Sequence, residues 1–96
     1  MRELRWTKAA LADLYRISAY LEREARPEVA LNTLSVIRYR ANLLLDFPHS
    51  GPPVRDRGFR SLRVHGTPYI IAYRLGTGSL EILRIHHERE NWRMPE

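Results

Sequence analysis

Ninety-six residues, 44% of them hydrophobic, suffice for one modest core and are too few for two. With no cysteine, a disulfide framework and any thiolate metal site are excluded, which fits a reducing, cytoplasmic setting. The net charge is +5, and 15 of the 16 basic residues are arginine, Lys8 being the exception.

The charge is unevenly spread: the excess is +2 over residues 1–26, zero over 27–48, +4 over 49–75 and −1 over 76–96. An arginine-rich stretch offers planar, two-pronged donors for carboxylates or phosphates and points to a polyanionic partner. The first residues, Met1 to Trp6, lack the apolar core of a signal peptide. The longest strongly apolar run, Leu43-Leu44-Leu45, is far too short for a membrane span.

Leu4 and Trp6 alternate with Glu3 and Arg5, the pattern of a short strand. Thr7 is placed to cap a helix, and Leu11, Leu14, Ile17 and Leu21 then fall on one helical face. Pro27 starts a second helix whose face reads Ala30, Leu34, Ile37, Ala41 and Leu44, and Phe47-Pro48 ends it. Two helices joined so closely form an antiparallel hairpin, with Leu11, Leu14, Ile17, Leu34 and Ile37 expected in the core.

From His49 to Gly58 the chain is loop-like, with Gly51, Pro52, Pro53 and Gly58. Three strand-like runs follow at Arg60–Val64, Tyr69–Leu75 and Leu80–His87, separated by the hairpin-length turns 65–68 and 76–79. The pattern predicts a single α+β domain over residues 1–96, in the order β-α-α-β-β-β. Its sheet is expected to be antiparallel, with the helical hairpin on one face. Strict alternation puts Tyr69, Ile71, Tyr73 and Leu75 on one face of the middle run. In the last run it groups Leu80, Ile82, Arg84 and His86 against Glu81, Leu83, Ile85 and His87.

Four segments carry a resemblance. Trp6 to Ile17 reads as an apolar strand end followed by xxAxxDLxxI, and Phe47 to Pro53 as hPxxGxP. Arg60-Ser61-Leu62 with Tyr69 to Arg74 reads as RxL…YxIxYR, and Ile82 to Trp92 as ILRhxHxRxxW. In this order, over nearly the whole chain, they resemble the RelE/ParE superfamily, toxins of bacterial type II toxin–antitoxin systems.

The resemblance implies the same β-α-α-β-β-β fold, growth inhibition, no cofactor, and an antitoxin partner whose acidic part wraps the toxin. Operator DNA would be bound only through that antitoxin. It also implies one of two targets. RelE-like members cut messenger RNA on the ribosome, for which His87, Arg89 and the pair Arg60 and Arg63 are the candidate catalytic groups. ParE-like members block DNA gyrase without hydrolysis, and Arg60, Arg63, Arg74, Arg84, His86, His87 and Trp92 then serve as antitoxin or target contacts. The lysine pair of typical RelE-like nucleases and their C-terminal tyrosine have no counterpart here, which favours the ParE-like branch.

A plain nucleic-acid-binding module is the third reading; the charge suits it, but no helix-turn-helix, zinc-finger or RNP motif is present. Adjacent His86 and His87 point to opposite faces of a strand and make a poor metal site. Tyr69 and Tyr73 read as packing residues, His49 and His65 as solvent-exposed turn residues, and Arg16, Arg23, Arg26, Arg38 and Arg40 as helix surface or antitoxin contacts. Arg84, a charge inside an apolar run, demands a partner.

Overall fold

A computed structural model describes residues 2–90. Glu3–Trp6 form β1, and Thr7 then turns the chain into α1, Lys8–Glu24. The Thr7 hydroxyl accepts from the Ala10 N–H at 3.1 Å and donates to the Leu83 carbonyl at 2.9 Å. It thus satisfies one of the helix's free amides and fixes α1 against the sheet. Ala25 ends α1, and Pro27, whose ring is tolerated at a first helical position, opens α2, Pro27–Leu43. Arg60–Arg63, Tyr69–Leu75 and Ser79–His87 form β2, β3 and β4.

The strand order is β1-β4-β3-β2. β2 to β4 are antiparallel as expected, but β1 runs parallel to β4, with Leu4 level with Leu80 and Trp6 with Ile82. The sheet is therefore mixed. A parallel neighbour needs a long crossover, and the helical hairpin supplies it. At the other edge, β2 is covered by the loop before it: the Ser61 N–H donates to the Pro52 carbonyl at 3.0 Å, and Val54 N–H to Phe59 carbonyl at 2.9 Å. Covering an edge in this way blocks pairing with another chain.

The core lies between the helices and the face bearing Leu62, Tyr69, Ile71, Tyr73, Leu80, Ile82 and Ile85. Two sequence expectations are corrected here. Tyr73 is level with Ile82 but Ala72 with Arg84, so Leu83 is an extra residue in β4. This bulge flips the alternation, and the core face of β4 carries Leu80, Ile82, Ile85 and His87, while Arg84 and His86 turn to the other side. On α1 the buried stripe is Ala10, Asp13, Ile17 and Leu21, and Leu11, expected in the core, is 51% exposed. Leu14 and Leu34 are half-buried against the core, and Ile37 is fully inside.

Candidate interaction surface and the arginine clamp

The physical centre of the charged region is Asp13, an acid only 2% exposed. A carboxylate so buried survives only if its oxygens are paired. Arg84 supplies two donors, Nε at 2.6 Å and Nη2 at 3.0 Å, the Ile85 N–H a third at 2.9 Å, and Arg16 a fourth. β1 stops opposite Ile82, so past that point no strand among the described residues continues along this edge of β4, and Asp13 takes up the Ile85 amide there. The Asp13 hydrogen bond is the main reason the Arg84 guanidinium is held above its ordinary value. The partner that Arg84 demands is thus on α1.

Register sorts the remaining candidates. On the face away from the helices, Arg63 is level with Ile70 and His86. Arg63 is paired with Glu88, and Arg74 with Glu81 at 2.7 Å. Both arginines are more than half exposed, so these pairs contribute little to stability and exchange easily. Arg60 belongs to the helix-side set but is committed to the Gly51 carbonyl at 2.8 Å. Arg60 is level with Tyr73, four residues along β3 from Tyr69, which is level with His87. That puts Arg60 and His87 roughly 13 Å apart along the strands alone.

His87 and Arg89 do come together, in a cavity of about 380 Å³ between α1 and the adjoining ends of β3 and β4. His87 Nδ1 accepts from the Arg89 N–H at 3.1 Å, and its ring meets Tyr69 edge-on, centroids 5.7 Å apart. The cavity is also lined by Asp13, Arg16, Ile17, Tyr20, Ile85 and Glu90. Trp92 lies outside the described residues.

With this geometry in hand, comparison with known proteins is decisive. The family described as the ParE toxin of type II toxin-antitoxin system, parDE, matches residues 4–92. The chain belongs to the ParE toxin family. Protein Y4kP of Sinorhizobium fredii (strain NBRC 101917 / NGR234), classed by its name among toxins, is 35% identical over 91 residues, covering 95% of this chain and 93% of that protein. A structure of the chromosomal ParDE toxin–antitoxin system from P. aeruginosa matches with a TM-score of 0.81 at 29% identity, over 91% of this chain and 96% of that one. The RelBE2 complex of Mycobacterium tuberculosis matches with a TM-score of 0.63 at 26% identity, over 90% of this chain and 96% of that one.

In this ParE-family toxin, sequence reasoning missed Asp13, Arg16 and Tyr20 as part of the charged centre. A signal was present: an acid at the second position of a 10-13-17-21 stripe of otherwise apolar residues, together with an arginine inside an apolar strand, is what a buried ion pair looks like in sequence. Another buried titratable side chain is His86, whose Nδ1 lies 3.1 Å from the His87 carbonyl and, facing an acceptor, carries the proton. Burial pushes this imidazole below its ordinary value of 6.5, outweighing the opposing pull of the His87 carbonyl, Glu90 and Asp13. The unfolded chain therefore takes up this proton first as pH falls. The resulting stability is complete above about pH 6.5 and is lost as pH drops through the folded value. Thermal unfolding is expected to show a midpoint that falls between about pH 7.5 and pH 5.5, with a shallower fall in His86→Gln. An equal slope in the variant would place the pH dependence on another group.

Proposed function

We propose that this ParE-family toxin inhibits growth in the cytoplasm by poisoning DNA gyrase through protein contacts, and that an acidic antitoxin neutralises it. One observation carries the choice of target. Cleaving a phosphodiester at a ribose needs a base, an acid and a cationic clamp around a single phosphate. Of the four groups a nuclease reading requires, only His87 and Arg89 share a cavity. Arg60 is engaged by the Gly51 carbonyl, and Arg63 lies on the opposite sheet face with Glu88.

The antitoxin follows from the family and from the charge. Solved relatives include ParDE and RelBE2 toxin–antitoxin assemblies. Here Arg63 and Arg74 are more than half exposed and held in surface ion pairs that a flexible acidic segment would replace at little cost. Such an association weakens with added salt.

The test is expression of the chain alone, with gyrase-linked DNA breaks and transcript ends followed together. Trapped breaks with intact messages are the expected result. New ribosome-dependent cleavage sites in messages would overturn it in favour of a RelE-like endoribonuclease built on His87 and Arg89.

A further inference from the structure

We propose that the cavity between α1 and the ends of β3 and β4 is a socket for an acidic peptide, seating one apolar side chain on its floor and one carboxylate at its rim. That the peptide belongs to the antitoxin rests on the reading above; the socket itself rests on geometry. Ile17 and Ile85 line it and give it an apolar floor. Tyr69 is only 4% exposed, yet its hydroxyl makes no hydrogen bond among the described residues and borders this cavity. Burial keeps that hydroxyl protonated, and it is therefore a donor awaiting an acceptor.

His87 adds a second donor: with Nδ1 accepting from the Arg89 N–H, the ring N–H is on Nε2. Arg16 is occupied by Asp13, whereas Arg89 makes no ion pair among the described residues. One uncommitted cation with two further donors matches a single carboxylate.

Two further features select a peptide over nucleic acid. The Glu90 carboxylate at the cavity's border disfavours a run of phosphates more strongly than it does a single carboxylate. The rings of Tyr69 and His87 cross at 87°, so they present no parallel platform on which a base stacks.

The experiment uses the purified, ¹⁵N-labelled full chain titrated with acetyl-Leu-Glu-amide, acetyl-Leu-Gln-amide and adenosine 5′-monophosphate. The acidic dipeptide is expected to move the amide signals of Ile17, Ile85 and His87. It should bind about tenfold more weakly to Arg89→Gln and several-fold more weakly to Tyr69→Phe, a variant that keeps the ring packing. The glutamine dipeptide is expected to bind about tenfold more weakly than the acidic one. Unmoved signals, or undiminished binding by Arg89→Gln, would overturn the socket. Tighter binding of the nucleotide at the same signals would reassign it to nucleic acid. Binding is read on the purified chain and neutralisation in cells. A toxin that binds the dipeptide but is neutralised by no antitoxin therefore loses only the antitoxin reading, and the reverse result removes only the socket.

Discussion

Asp13→Ala is expected to cost about 3–5 kcal/mol of folding stability, because it removes one partner of a buried ion pair. Arg84 is 17% exposed in its side chain, and Asp13 meets two of its nitrogens as well as the Ile85 N–H. The whole stability of a small domain is only about 5–15 kcal/mol, so the variant should be close to unfolding. The urea midpoint reads this directly. The double variant Asp13→Ala with Arg84→Met removes both charges and is expected to recover part of the loss, since truncating one partner of a buried pair costs more than replacing both. A loss below about 1 kcal/mol in the single variant would show that the clamp does not hold α1 to β4.

Gly51→Ala is expected to lower the melting temperature by more than about 10 °C. A Cβ on Gly51 would sit 2.8 Å from Tyr73 Cε1 and 2.9 Å from the Ser61 carbonyl oxygen. Neither neighbour can give way: Tyr73 is fully buried, and Ser61 is backbone of β2. Overpacking of this kind costs about 1–3 kcal/mol, at the upper end when both contacts are rigid. The Tyr73 hydroxyl also accepts from the Gly51 N–H at 2.9 Å and donates to the Pro48 carbonyl at 2.8 Å. Tyr73→Phe, which leaves that buried amide without an acceptor, is expected to cost about 1–3 kcal/mol by itself. An unchanged melting temperature in Gly51→Ala would mean that the 48–53 loop can shift away from β3.

The elements themselves were legible because each is written in local chemistry. Thr7 before a periodic stretch, Pro27 at a helix start, and turn residues at 65–68 and 76–79 all act over a few positions. What stayed hidden depends on partners far apart in the chain. The parallel seat of β1 beside β4 could not be read from β1's four residues. The bulge at Leu83 left no mark in an apolar run, yet it decided the side to which Arg84 and His86 turn. α1 is rotated by one residue from its apparent apolar face because a paired Asp13 takes a place that an apolar side chain would otherwise hold.

The same held for the candidate site. Arg84's need for a partner was evident, but the partner stands 71 residues away. Arg60 reads as a phosphate-gripping group in sequence, and only the fold reveals that a backbone carbonyl has claimed it. Tyr69 reads as packing and does pack, but the free hydroxyl at its tip is visible only in three dimensions.

The pairing of the first strand with the last has a consequence for synthesis. β1, the Thr7 hydroxyl and the Asp13 carboxylate all find their partners between Ser79 and Ile85. Until that segment leaves the ribosome, the N-terminal strand has nothing to lie against, and the Asp13 carboxylate on α1 has Arg16 but lacks the three donors of β4. Contacts that close such long loops form late. A chain cut short before residue 79 therefore lacks the middle of its sheet, and the toxin's fold becomes available all at once, when the segment from Ser79 to Ile85 emerges.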